Sequence, residues 1–292
     1  MAVVDFVFEV DSMPVAAEKY KARDAQIVGG GGAANAACAI AKLGGHAQIA
    51  ARVGDDFMGK LIIDDLKKHS VDCSLIATTS DARSSYSSVL LDTSGERQIV
   101  NFRGDNLSED VTGIESTDPA AVLSDTRWIA GATAAMKLAK RKGIPSVLDA
   151  EAPIDPRLLK LASHIAFSRQ GLESIVGTLK TISNIESALR QLAERYSAWL
   201  AVTDGANGVY SLHRNEFLHH AAIPVDAVDT LGAGDVWHGA FTFWLGCGYN
   251  ESDAVGFANA AAALKCAHPG GGRSCPGLNE VEMLLSSDNK GA

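Results

Sequence analysis

Proline is scarce in this chain, at 8 of 292 residues, and cysteine is scarce and odd in number, at 5. Cys38, Cys73, Cys247, Cys266 and Cys275 show no paired spacing and no C-x-x-C, so neither a disulfide framework nor a zinc site is expected. Cys38, Cys247 and Cys266 stand in apolar, helix-like runs and read as buried thiols. No stretch of about 18 apolar residues occurs, so no membrane-spanning helix is expected. The first residues lack a basic segment followed by an apolar run, so no secretory signal is read, and a cytoplasmic location is the expectation. Positive charge is in deficit: 26 Lys and Arg face 35 Asp and Glu, a net charge of −9. That balance disfavours nucleic acid, which needs a basic face, but it leaves room for a small anionic ligand held by local charge. Disorder is excluded, because 47% of residues are hydrophobic and only 21% charged. What the chain has in excess is glycine, 28 residues gathered mainly in three clusters.

The length suggests two domains or one large domain with an appendage. Strand-like runs at Val3–Val10, Gln48–Val53, Ser146–Asp149, His164–Ser168 and Trp199–Thr203 alternate with helix-like runs. Met58, Leu61, Ile62 and Leu66 share a helical face behind Asp55 as N-cap. Ile185, Ala188, Leu189, Leu192 and Tyr196 do the same behind Ser183 and Glu186, a capping-box spacing. This alternation reads as a mainly parallel sheet covered by helices on both faces. One region departs from it. Ser84–Leu91 and Arg97–Phe102 are joined by Asp92-Thr93-Ser94-Gly95 with no helix between, which predicts a hairpin outside the main sheet. Val4–Glu9 and Gln26–Val28 add strands to it.

The first glycine cluster, Gly29 to Gly32, runs into an Ala-rich helix containing Asn35. It reads either as a tight turn before a closely packed helix or as a place where backbone meets a polyhydroxy ligand at Gly30, Gly31 and Asn35. It does not follow the first strand of a βαβ unit, so a dinucleotide oxidoreductase is disfavoured. The second, Thr203-Asp204-Gly205-Ala206-Asn207-Gly208, ends an apolar strand and reads as a hairpin turn or a phosphate-binding loop. The third, Asp229 to Asp235, places Gly232, Ala233 and Gly234 at a helix start, where free N–H groups favour an anion. Asp235 falls in the first turn beside that site, a pattern suited to phosphoryl transfer onto a hydroxyl. His238, one turn further on, reads as a packing or capping residue.

With these three motifs in order, the sequence resembles the PfkB, or ribokinase-like, carbohydrate kinases along essentially its whole length. The first signature is Gly29–Gly45, followed by Arg52-Val53-Gly54-Asp55-Asp56; the nucleotide segment is Thr203–Gly208 and the last signature Asp229–Asp235. The resemblance implies a three-layer α/β/α sandwich over residues 1–292, with a small β-sheet lid from about 4–28 and 84–103 that mediates a homodimer. It implies Asp235 as catalytic base and Gly232, Ala233 and Gly234 as the anion hole. Asp5, Gly30, Gly31 and Asn35 match sugar contacts, and Thr203, Gly205 and Gly208 match residues along ATP. Asn259 falls where the family packs a helix beside adenine. Asp229 and the Leu231 carbonyl match a monovalent-cation (K⁺) site seen in some members. ATP and Mg²⁺ are the implied cosubstrate and metal.

Within the family the likeness is to the 6-deoxy-6-sulfofructose kinases, carried by Asp92–Asn101, Ser124–Trp128, His164–Ser168 and Ala263–Gly272. It implies that Lys19, Asn101 and Arg127 hold a sulfonate; taken singly, Lys19 also reads as a solvated charge, Asn101 as a turn residue and Arg127 as a partner of Asp125. A phosphate or carboxylate on the sugar suits the same residues. Kinases for a neutral sugar, a 2-keto-3-deoxy sugar acid or a nucleoside stay open, as does a non-catalytic sugar- or nucleotide-binding protein. Two departures stand out. The N-x-x-E stretch of many members is Ser168-Arg169-Gln170-Gly171 here, which leaves Mg²⁺ to ATP and water. Only four residues precede Asp5, where the family has a full strand and a glycine, and a longer chain is expected to be the more stable and active one.

Overall fold

The computed structural model describes residues 1–288, so positions 289–292 of the expected domain lie outside the described residues. Among the described residues, twelve strands form three sheets. A six-stranded sheet is built from β7 (Val122–Ser124), β8 (Ser146–Ala150), β9 (His164–Ser168), β10 (Trp199–Thr203), β11 (Val209–His213) and β12 (Glu216–His220), in the spatial order β12-β11-β10-β9-β8-β7. Pairing from β7 to β10 is parallel, and β10-β11-β12 is an antiparallel meander, so the sheet is mixed. A two-stranded parallel sheet pairs β3 (Gln48–Gly54) with β4 (Asp72–Thr79). A four-stranded sheet has the order β2-β1-β5-β6, from β1 (Val3–Glu9), β2 (Asp24–Gly30), β5 (Tyr86–Leu91) and β6 (Arg97–Phe102). The hairpin β5-β6 and both flanking strands fall where the sequence places them.

Alternation along the strands explains the layers. Val147, Ala166, Trp199 and Ala201 pack on one face of the six-stranded sheet against the helices Ala233–Gly246 and Glu251–Cys266. Their neighbours Leu148, Ile165, Phe167, Leu200 and Val202 pack on the other against Met136, Leu158, Leu172 and Leu189 of four further helices. Period-two side chains thus read as two cores, one per face. Trp199, Phe241 and Trp237 stack in series, with centroids 4.9 and 5.0 Å apart. A third core joins the helices Gly32–Lys42 and Phe57–Lys68 to β3. A cavity of about 920 Å³ is walled by Ile49 and Ala51 of β3 and by Val122 and Leu123 of β7; Asp235 is not among its walls. Among the described residues, no helix is long and apolar enough to cross a membrane.

Three local expectations are corrected. The helix Phe57–Lys68 is capped by Asp56, not Asp55, because only Asp56 lies three residues before Gly59, whose N–H it accepts at 2.7 Å. Thr181 and Asn184 form the capping box of helix Ile182–Ala193, not Ser183 and Glu186; Glu186 instead pairs with Arg190 one turn on, at 2.7 Å. Cys247 is exposed at the end of its helix, Cys266 is half-buried, and Cys38 is buried.

Candidate active site

Helix Ala233–Gly246 begins at Gly232, which caps it in the left-handed region at φ 79°. A Cβ there would lie 2.4 Å from the Gly272 Cα, so glycine serves both the conformation and the close approach of the Gly271–Arg273 turn. No side chain caps this helix. Ala233 N–H donates to Thr230 O at 3.2 Å, and the first-turn amides gather beside Asp235.

Asp235 is held by a chain of polar contacts from distant parts of the sequence. The Asn35 amide donates to Asp235 Oδ2 at 2.6 Å, Arg273 Nη1 donates to Asn35 Oδ1 at 2.5 Å, and Arg273 Nε donates to Asp65 Oδ2 at 2.8 Å. Burial pushes the Asp235 carboxyl up to about 6, and the negative charge of Asp149 adds to the rise. The Asn35 hydrogen bond and His238 oppose it. Asp149, next to last in β8, faces the same glycine as Asp235: a Cβ on Gly32 would lie 3.2 Å from Asp235 Oδ1 and 3.6 Å from Asp149 Oδ2. Burial raises the Asp149 carboxyl too, while His238, with Nε2 3.6 Å away, counters it. His238 Nδ1 lies 2.7 Å from Gly234 O, so this ring is the intrahelical contact the sequence suggests and also a neighbour of the carboxylate pair.

A cavity of about 240 Å³ opens onto the four-stranded sheet, walled by Asp5, Gly31, Asn101, Arg103, Arg127 and Leu231, among others; Asp235 is not among its walls either. Asp5 packs against Gly30, where a Cβ would lie 2.0 Å from its Oδ2; burial raises its carboxyl, and a hydrogen bond from Ser87 lowers it. Asn101 Nδ2 donates to Ser87 Oγ at 3.0 Å. Arg127 Nη1 donates to Ala152 O at 2.9 Å, and its Nη2 pairs with Glu151; only its backbone N–H reaches Asp125 Oδ1, at 2.9 Å. Lys19 is not brought to this cavity. It stays exposed in the loop between β1 and β2.

Thr203 ends β10 and donates to Phe167 O at 3.4 Å. Gly205 opens a single 3₁₀ turn and Gly208 closes it at φ 85°, so the second glycine cluster is the β10-β11 hairpin turn. Asp204 accepts from Arg169 Nη1 at 2.7 Å, which ties this turn to the stretch where N-x-x-E is lost; Ser168 there caps a helix by accepting from Gly171 N–H at 3.0 Å. Asn259 is buried, accepting from Trp237 Nε1 at 2.8 Å and donating to Ala221 O at 2.9 Å. Its amide therefore ties two helices and a loop together. Asp229 accepts from Leu231 N–H and Gly271 N–H, both at 2.8 Å. Lys265 Nζ donates to Asp229 O at 2.7 Å and lies 3.2 Å from Asp229 Oδ2. The Asp229 oxygens of the implied monovalent-cation site are thus already engaged by an ammonium group. Among the described residues, no group of three or more His, Cys, Asp or Glu side chains is arranged to hold a metal ion.

Asp149, Arg103, Arg273 and Lys265 escaped the sequence reading. Arg103 had a signal: it lies two residues beyond Asn101, on the same face of β6 extended. Lys265 had one too, as a lone charge in an alanine-rich helix.

A glycine-capped helix start, a buried carboxylate in its first turn and a polar cavity are the layout of a phosphotransferase acting on an alcohol group. The chain belongs to the pfkB family of carbohydrate kinases, whose description matches residues 1–277. It is 31% identical to a ribokinase of Bacillus subtilis over 97% of this chain and 96% of the relative. A ribokinase structure from Thermotoga maritima superimposes with a TM-score of 0.84 at 27% identity, covering 98% of this chain and 97% of that one. An Arabidopsis thaliana ribokinase solved with ribose and ATP superimposes with a TM-score of 0.86 at 24% identity, covering 97% and 96%, and supports the fold. The protein is an ATP-dependent sugar kinase of ribokinase type.

Proposed function

We propose that the sugar is a ketose-type substrate bearing a negatively charged substituent, of which 6-deoxy-6-sulfofructose is the representative. One observation carries this reading: Arg103, Arg127 and Asn101 line the same 240 Å³ cavity as Asp5. Such a set suits a fixed anion at one end of a polyol. The competing reading is a neutral pentose, favoured by the ribokinase names of the relatives.

In this proposal Asp5, Gly30, Gly31 and Asn35 bind the sugar hydroxyls. Asp235 takes the proton of the attacking hydroxyl as the new O–P bond forms and the bond to the ADP oxygen breaks. A carboxyl pushed up to about 6 is ionised at neutral pH yet a better proton acceptor than an ordinary aspartate. The amides of Gly232 and Gly234 stabilise charge on the migrating phosphoryl group, and the Ala233 N–H joins them where it turns from Thr230 O. Thr203, Gly205 and Gly208 line ATP, and Asn259 shapes the adenine side from behind by fixing Trp237 and the Ala221 loop. Mg²⁺ travels with the ATP phosphates and water. The four-stranded sheet serves as lid, and its exposed Ile27 and Val100 give it an apolar face for a second copy.

A coupled assay of ADP formation against neutral, phosphorylated, carboxylated and sulfonated ketoses, with ribose alongside, tests the reading. The highest kcat/KM is expected for an anionic ketose; a clear preference for ribose or fructose overturns it.

A further inference from the structure

Lys265 is the most deeply buried charged side chain described, with 0% of its surface exposed. It lies near the end of helix Glu251–Cys266, among Ala260, Ala261 and Ala263, where an apolar side chain would serve packing as well. A buried ammonium is costly unless acceptors surround it. Its acceptors are the main-chain and side-chain oxygens of one residue, Asp229 O at 2.7 Å and Asp229 Oδ2 at 3.2 Å. Asp229 stands three residues before Gly232, and its carboxylate also receives Gly271 N–H. The turn that begins at Gly271 packs its Gly272 against Gly232. The positive charge therefore sits under the loop that shapes the helix start beside Asp235.

A bare monovalent cation bound at Asp229 would compete with Lys265 for that residue's oxygens, whatever the Leu231 carbonyl supplied, and a second positive charge there would be repelled by the ammonium. The residues present do not fit the K⁺ site that the family resemblance implies. We propose that Lys265 is a tethered replacement for that cation, and that catalysis in this protein is independent of K⁺. The charge of Asp229 supports the arrangement, since its carboxyl is held below the ordinary carboxylate range by the Leu231 and Gly271 amides and by Lys265, against the effect of burial. The proposal rests on sugar-kinase activity but not on which sugar is used, because any accepted sugar reports it.

The experiment compares ADP formation by the full chain with tetramethylammonium as the sole monovalent cation and with KCl, using the Tris salt of ATP and the best sugar found. The wild-type protein is expected to turn over at the same rate in both. Lys265→Ala is expected to lose activity on the order of tenfold in tetramethylammonium and to regain most of it in KCl. The melting temperature of this variant should rise with KCl but not with tetramethylammonium. If Lys265→Ala does not fold, Lys265→Met, which keeps the buried stem, carries the same comparison. Activation of the wild-type protein by KCl overturns the proposal. So does a folded Lys265 variant that stays fully active without K⁺ or does not respond to it. Absence of turnover with every sugar would instead sink the kinase assignment, which separates the two failures.

Discussion

Asp235→Asn is expected to abolish turnover and, at the same time, to make the protein more stable. The carboxyl is pushed up to about 6, first by burial and then by the charge of Asp149. At about 1.4 kcal/mol per pH unit, the rise above the ordinary aspartate range corresponds to about 3 kcal/mol of unfavourable free energy whenever the group is ionised. Asp235 keeps part of its surface open to the cleft, so this figure is a ceiling. The sign follows from proton counting. Well below pH 4 both folded and unfolded chains are protonated at this position, and nothing is lost. Between about 4 and 6 the unfolded chain releases its proton while the folded one retains it, so stability falls as pH rises. Above about 6 the loss is complete and constant. Asparagine removes the titration but keeps an oxygen for the Asn35 amide to donate to. Urea unfolding of both proteins at about pH 4 and about pH 8 measures it: the gap in favour of the variant should be small at the lower pH and approach 3 kcal/mol at the higher. In the wild-type protein, kcat/KM should fall below about pH 6 as the base is protonated. A variant no more stable than wild type at pH 8, or a gap that does not change with pH, refutes the reasoning.

Two further outcomes follow from geometry alone. Gly232→Ala places a Cβ 2.4 Å from the Gly272 Cα and at a φ that costs other residues about 1–2 kcal/mol, so kcat should drop at least on the order of tenfold and stability should fall; steady-state kinetics and a melt that match wild type would contradict it. Arg103→Ala should raise KM for an anionic ketose on the order of tenfold and leave a neutral one little changed, while Lys19→Ala changes neither; equal effects of the two variants would remove Arg103 from substrate recognition.

Much of the fold was legible because alternation and helical spacing are local signals. His164–Ser168, Trp199–Thr203 and Arg97–Phe102 are strands with the bounds the sequence suggests, and helix Ala233–Gly246 begins at the third glycine cluster. The caps were missed by one or two positions, since Asp55 and Asp56 are both good caps and the choice lies in the angle at which the chain enters the helix. Asp56 also accepts from Ser84 N–H and Oγ, at 2.8 and 2.6 Å, a partner 28 residues away that no local pattern announces. The site divides the same way. Asp235 and Asn35 were readable from motifs, but their contact, and the places of Arg273 and Asp149 beside them, depend on tertiary packing. Lys19 went the other way: a basic residue at a suggestive position whose loop never reaches the cavity. Arg127, read as one of three sulfonate ligands, does reach it, but Glu151 already takes part of its charge.

The chain Asp65–Arg273–Asn35–Asp235 spans sequence separations of 208, 238 and 200 residues. On the ribosome, the helix Gly32–Lys42 with Asn35 is complete long before Arg273 is synthesised. The Asp235 carboxylate therefore acquires its final orientation only when the last tenth of the described chain has docked. A nascent or C-terminally nicked polypeptide that already holds its sheets would carry Asp235 without its tether. Catalytic competence would then be among the last properties the molecule gains as it folds and among the first it loses as its C-terminal segment undocks.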